Sequence, residues 1–181
     1  MMSIKQLTMV VTLLSMLMSV GAWSATKEEI DTDVEAARAE FYEKSLPGKA
    51  LAEKASGMLV FPKVIKAGLG IGGEYGEGAL LVNGKPVEYY STAGASVGLQ
   101  FGAQQKSQVI LFMNEDVLKQ FRESKGWEAG VDGSIAVAEI GAGGEISSDT
   151  VKQPIIGFIF SNKGFMANLT LEGSKMTKIV R

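Results

Sequence analysis

The chain contains neither cysteine nor histidine. Without them it cannot build a Ser-His-Asp or Cys-His catalytic pair, a zinc site of the usual kinds, or a haem or iron–sulfur centre. The lack of cysteine also excludes disulfides and a lipid-modified N-terminal cysteine. Carboxylate and lysine chemistry remain open. However, no pair of acids converges in the sequence, so we expect no catalytic residue, no metal, no cofactor and no enzyme activity.

The chain also lacks an excess of basic charge. It has 18 Lys and Arg residues against 20 Asp and Glu residues. Lys5 is the only charged residue before Lys27, so removing the first 24 residues leaves 17 basic residues against 20 acidic ones, a net charge of −3. A nucleic-acid-binding domain needs a strong basic excess, so we expect no nucleic-acid partner.

The N-terminus has the features of a secretory signal. Lys5 precedes an apolar run at residues 7–20, which is short of the ~20 residues that span a bilayer as a helix. Ala22 and Ser24 then place small residues three and one positions before Ala25, as signal peptidase requires. We predict cleavage near Ser24/Ala25, a periplasmic or secreted location and one domain at residues 25–181. An uncleaved membrane anchor is the alternative.

Helical periodicity covers the start of the predicted domain. Thr26 and Glu29 form a capping box, and a helix should follow until about Lys44. A second, shorter helix is predicted at residues 47–55, because proline suits a first turn. Asn114 should cap a third helix near 114–125. The residues predicted to face the core of the first helix are Ile30, Val34, Ala37 and Phe41.

From Gly57 the apolar pattern changes to a period of two, as in β-strands. Asn83-Gly84 predicts a two-residue hairpin, and Asn162-Lys163-Gly164 predicts a second turn. The alternation gives about seven or eight strands. Glycines on one strand face allow strong bending. The predicted fold is therefore α+β: a curled antiparallel or small barrel-like sheet, two N-terminal helices and one inserted helix.

Gly68, Gly70 and Gly73 match the letters of a dinucleotide-binding fingerprint. That motif needs a helix directly after the turn to hold the pyrophosphate, and the residues here continue with strand-like, glycine-rich sequence instead. Glycines at a spacing of two leave one strand face bare. We therefore expect another backbone or a helix to approach this strand closely.

Five lysines and one acid, Glu53, occupy residues 44–66. A partly amphipathic segment of this kind can lie on an anionic membrane surface. The alternative is that these lysines only keep helices packed on a sheet soluble. A second basic group lies near the C-terminus. The two groups are Lys44, Lys49, Lys54, Lys63 and Lys66, and then Lys163, Lys175, Lys178 and Arg181.

Several segments together are similar to a known family. The first is residues 57–78, which read GMLVFPKVIKAGLGIGGEYGEG, and the second is residues 92–104, TAGASVGLQFGAQ. Further similarity lies at residues 112–115, at Lys163-Gly-Phe and through residues 171–173. Together these segments resemble the SYLF domain, and the resemblance runs from about Ala50 to the C-terminus in the order of the family.

The resemblance implies lipid binding, known in the family as phosphoinositide binding, with actin binding in some eukaryotic members. In the family, binding is attributed to basic residues and an amphipathic N-terminal segment. The resemblance implies that the corresponding residues here are Lys63 and Lys66, with Lys54 and Lys49 in the preceding helix. We predict a non-enzymatic domain that binds an anionic phospholipid or other envelope lipid. An envelope structural or protein-interaction module without lipid is the alternative. Actin is not an expected partner of an exported chain.

Overall fold

The computed structural model describes residues 25–140, 146–164 and 171–181. The predicted signal segment lies outside the described residues. So do residues 165–170, which make up most of a strand that the sequence alternation predicts at 165–171, after the second turn. The described helices are α1 (Lys27–Lys44), α2 (Leu46–Ala52), α3 (Glu115–Glu123) and α4 (Ser148–Val151). The described strands are β1 (Gly57–Val82), β2 (Lys85–Phe112), β3 (Trp127–Glu128), β4 (Ala136–Glu139), β5 (Ile155–Gly164) and β6 (Lys175–Ile179).

The first three helices begin where the sequence predicts them, within one residue, and α4 was not predicted. The Thr26 hydroxyl accepts a hydrogen bond from the Glu29 backbone N–H at 3.2 Å, and the Glu29 carboxylate accepts one from the Thr26 N–H at 2.8 Å. Ser45 ends α1 and caps α2, which is shorter than predicted and ends at Ala52. The Asn114 side chain caps α3 by accepting from the Val117 N–H. Side-chain caps therefore set these boundaries.

Strands β1 and β2 form one long antiparallel ribbon. The hairpin turn is at Asn83 and Gly84, whose φ angles of 51° and 74° fit a two-residue turn with both residues left-handed. At its far end the ribbon changes register, because Leu69 pairs with Phe101 but Ile71 pairs with Val97. Residues 63–77 of β1 and 91–105 of β2 surround this irregularity, and we call them the bend.

Glycines let the ribbon fold over on itself at the bend. A Cβ atom added to Gly68 would collide with the backbone of Gly72, and one added to Gly78 would collide with the carbonyl oxygen of Val60. A Cβ at Gly76 would lie 2.7 Å from the carbonyl oxygen of Lys63. The two halves of β1 are therefore in backbone contact. The close approach predicted from the glycine spacing is confirmed at Gly68 but not at Gly73, where an added Cβ would be 3.9 Å from the nearest atom.

The remaining strands complete a mixed sheet. Within the described residues the strand order is β3-β6-β2-β5-β4, and β1 also pairs with β2. One half of β2 pairs with β6 and the other half with β5, both antiparallel. β4 pairs with β5 in parallel, which the sequence did not predict. The turn predicted at Asn162-Lys163-Gly164 is wrong, because β5 continues to Gly164.

Two apolar clusters lie on the two faces of the sheet. On the outer face, α1 packs Ile30, Val34 and Phe41 against β1, β2 and β5. The Phe41 and Phe158 ring centroids are 5.0 Å apart. On the inner face, inside the curl, α3 contributes Leu118 and Phe121 to the second cluster. The predicted α+β class with a curled sheet is confirmed, and β1 and β2 are each longer than a single one of the seven or eight predicted strands.

Candidate functional site

The four lysines predicted to bind lipid do not share one surface. Lys49 and Lys54 are exposed on α2 and in the turn after it, and Lys63 is exposed on β1. Lys66, in contrast, is 6% exposed and lies inside the curl. Six strand residues, or about 20 Å, separate Lys63 from the start of β1. The structure thus presents Lys49 and Lys54 apart from Lys63, and Lys63 and Lys66 on opposite faces.

A β-bulge explains the separation of Lys63 from Lys66. Phe61 and Val64 both belong to the inner cluster although they are an odd number of positions apart, three, because the register shifts between them. The extra residue moves Lys63 to the outer face and Lys66 to the inner face. Such a bulge re-aims every side chain that follows it.

Lys66 borders a buried polar cluster inside the curl. The Lys106 ammonium lies 3.0 Å from Glu74 Oε2, and these two side chains are 1% and 8% exposed. The Ser174 hydroxyl donates to the other oxygen, Glu74 Oε1, at 2.8 Å. Gln104 and Gln108 lie on the same inner face, beside Lys106 in β2. Both Glu74 oxygens are therefore engaged, as a buried carboxylate requires.

The cavity beside this cluster is small. Lys66, Glu74 and Ser174 line a space of about 40 Å³ together with Glu172 and Gly94. That volume suits about one water molecule and is much smaller than a lipid head group. Lys66 therefore faces an internal polar site, and Lys63 faces the surface.

The Glu74–Lys106 pair was not predicted from the sequence, although a signal for the burial of Lys106 exists. Gln104, Lys106 and Gln108 have the same parity in β2 as Ile110 and Phe112, which lie in the inner cluster. An alternating strand that continues this parity places Lys106 inside. A buried lysine needs a partner, and Glu74 supplies it from β1.

A second charge cluster centres on Glu88 of β2. Arg122 binds both of its carboxylate oxygens at 3.0 and 3.1 Å, Lys178 lies 2.6 Å away, and the Tyr90 hydroxyl donates at 2.8 Å. Burial alone would raise the pKa of Glu88, but these hydrogen bonds outweigh it and lower that pKa to about 2. Burial and the Glu88 hydrogen bond raise the pKa of Tyr90. The cluster ties α3 and β6 to β2.

The C-terminal basic group is partly neutralised. Lys178 pairs with Glu88, and Arg181 pairs with Glu77. Lys163 and Lys175 are exposed on β5 and β6. Among the described residues, the predicted lysines 49, 54, 63 and 66 form no ion pair. Lys49 instead lies over the Tyr42 ring, with its nitrogen 5.9 Å from the centroid.

Two features are absent from the part of the chain that the structure describes. No helix there is long and apolar enough to cross a membrane. No group of three or more acidic side chains there is arranged to hold a metal ion.

The folded glycine-rich ribbon, its two N-terminal helices and its buried polar cluster define a small α+β domain built on a curled sheet. Residues 93–179 match the family model Ysc84, described as Las17-binding protein actin regulator. Over these residues the match confirms the resemblance to the SYLF domain. No curated protein matches the chain.

Proposed function

We propose that this chain is an exported, non-enzymatic domain that binds an anionic lipid surface through exposed lysines. The observation that carries the proposal is that Lys49, Lys54 and Lys63 are exposed and form no ion pair within the described residues. Lysines without an ion-pair partner remain available to phosphate groups, and each near-surface basic residue contributes about 1 kcal/mol on an anionic leaflet. Similarity to the SYLF family favours lipid or protein binding in general.

The helical segment supports the same proposal. Leu46 opens α2 and is 75% exposed, and Lys49 and Lys54 follow it on the surface. An exposed leucine next to unpaired lysines suits the boundary between head groups and acyl chains. The proposed export determines which lipids the domain can meet. An exported domain meets envelope lipids, so we expect phospholipid head groups and not cytoplasmic phosphoinositides.

Vesicle flotation tests the proposal. The protein is expressed from its full-length sequence, purified after export and mixed with vesicles of phosphatidylglycerol and phosphatidylcholine. We expect it to float with these vesicles at low salt and to remain behind at high salt, because salt screens charge attraction. It should not float with vesicles of phosphatidylcholine alone. Failure to bind the anionic vesicles at low salt would overturn the proposal and favour the envelope protein-interaction alternative.

Charge reversal locates the surface. Lys63→Glu, and separately Lys49→Glu combined with Lys54→Glu, should each weaken binding about tenfold or more. Lys119→Glu is the matched control, since Lys119 is 74% exposed on α3, the helix that packs on the inner face of the sheet. Lys66 is left unchanged because it is buried. Equal weakening by the control would point to net charge and not to this surface.

A further inference from the structure

The bend exposes apolar side chains that neither core cluster uses. On β1, Ile71 is 72% exposed, Tyr75 is 52% exposed and Ile65 is 49% exposed. Their neighbours Val64 and Gly76 are buried, so the exposed side chains point outward by strand alternation. The helices cover the outer face on both sides of this stretch but leave the stretch itself bare. The covered β1 residues are Met58, Val60, Ala79 and Leu81.

The unpaired charge that the bend presents on the outer face is positive. Its two stretches contain four charged residues. Glu74 and Lys66 lie inside the curl, and Glu77 is paired with Arg181 and accepts from the Tyr75 hydroxyl. Lys63 remains, exposed on the outer face. The bend therefore presents apolar side chains beside a lysine, and its two acids are held by partners.

A second lysine stands at the edge of the same face. Ile65 pairs with Gln105 across the ribbon, and Gln105 pairs with Lys163 of β5, so the three residues form one cross-strand row. Lys163 is exposed. The nearby carboxylate of Glu40 already accepts hydrogen bonds from Lys44 and Ser161. Lys63 and Lys163 thus flank Ile65 on the outer face.

We infer that the bend enters the membrane interface, with Ile65, Ile71 and Tyr75 inserted at the boundary between head groups and acyl chains and Lys63 and Lys163 at the phosphates. This inference rests on the proposed function and names a second contact besides the helical segment. The positive rim is complementary to an anionic lipid surface. Tyrosine suits this depth because its ring is apolar and its hydroxyl stays hydrated. The backbone contacts between the two halves of β1 hold the bend in one shape.

A tryptophan placed at the bend reports insertion. Trp23 lies in the predicted signal, and Trp127 is 2% exposed, so the processed protein has a buried tryptophan as its background. In Ile71→Trp, anionic vesicles should shift the emission to the blue and protect the new indole from acrylamide. Val87→Trp is the matched control, on the same ribbon beside the hairpin and 45% exposed. Its emission should not change.

A second pair of variants measures affinity. Ile65→Ser combined with Ile71→Ser should reduce partition onto anionic vesicles about tenfold or more. The variant lacks the two isoleucine side chains that the membrane partly buries when the bend inserts. Val87→Ser should leave partition unchanged. All three positions are exposed, and circular dichroism checks that the variants keep the fold.

The outcomes separate this inference from the proposed function. If the wild type binds vesicles but Ile71→Trp does not shift and the double serine variant binds normally, the bend is not inserted and the lysine surface stands alone. If the wild type binds no vesicles, both ideas fail. If Ile71→Trp shifts without lipid as protein concentration rises, the bend is a contact between two copies of the chain and the inference is wrong.

Discussion

Glu74 and Lys106 form an ion pair 3.0 Å long inside the curled sheet, where their side chains are 8% and 1% exposed. The pair joins β1 to β2, and Ser174 adds the segment before β6 through its hydrogen bond to Glu74. Two charges in such a place lose most of their hydration. Their value to the fold therefore depends on both partners being present.

Removing one partner of this pair should destabilise the protein strongly. Glu74→Gln leaves the Lys106 ammonium buried without its carboxylate, which typically costs about 3–5 kcal/mol of unfolding free energy. Glu74→Gln combined with Lys106→Met should cost less than Glu74→Gln alone, because no uncompensated charge remains. Urea unfolding of the three proteins measures this difference.

The exposed pair Lys119–Glu123 provides the control for that experiment. Its side chains are 74% and 69% exposed, and the two charged atoms are 3.9 Å apart. Lys119→Met should change the unfolding free energy by about 0.5 kcal/mol or less. A Glu74→Gln variant as stable as Lys119→Met would mean that the buried pair contributes nothing to folding.

Gly78 should not tolerate a side chain. The Cβ atom of Gly78→Ala would collide with the Val60 carbonyl oxygen, which is backbone and cannot rotate away. The two halves of β1 would have to separate, and we expect a loss of about 3 kcal/mol or more in unfolding free energy. Thermal and urea unfolding, followed by circular dichroism, provide the measurement.

Gly73→Ala is the matched control for Gly78→Ala. Gly73 lies in the same strand, and its added Cβ would be 3.9 Å from the nearest atom, the Gly94 carbonyl oxygen. This change should be neutral or stabilising by less than about 1 kcal/mol, because alanine restricts the unfolded chain more than glycine does. Similar losses at both positions would contradict the close packing of the two β1 halves.

The helices and the fold class could be predicted from sequence because local residues determine them. Thr26, Ser45 and Asn114 cap their own helices, and Asn83-Gly84 forms its own turn. The orientation of Lys63 and Lys66 could not be predicted in this way. Simple alternation from the buried Phe61 would place Lys63 inside and Lys66 outside, and the bulge after Phe61 reverses that assignment.

Pairings between residues that are distant in the chain could not be predicted from the sequence either. Lys106 and Glu74 come together only because the ribbon folds at the bend and β6 returns beside β2. The parallel pairing of β4 with β5 likewise depends on the path of the connecting chain. In each case the partner is far away in sequence, so no local pattern can identify it.

The predicted signal should be removed during export. Expression of the full-length chain in a bacterium should give a periplasmic or secreted product beginning at Ala25, which intact-mass measurement identifies. Arginine at Ala22 and at Ser24 should block processing, because the peptidase accepts small residues at these positions. Trp23→Ala is the control and should be processed normally. A full-length product from the unaltered chain would instead support an uncleaved anchor.

The Glu88 cluster should make stability depend on acid pH. The hydrogen bonds from Arg122, Lys178 and Tyr90 lower the pKa of Glu88 from its usual 4.5 to about 2. The folded-state pKa is below the unfolded one, so this contribution is fully present above about pH 4.5 and is lost as pH falls toward 2. A shift of this size corresponds to roughly 3 kcal/mol of unfolding free energy at neutral pH.

Glu88→Gln should therefore be less stable than the wild type at pH 7. In urea unfolding the difference between them should shrink between pH 4.5 and pH 2, whereas a constant difference would mean that Glu88 ionisation does not stabilise the fold.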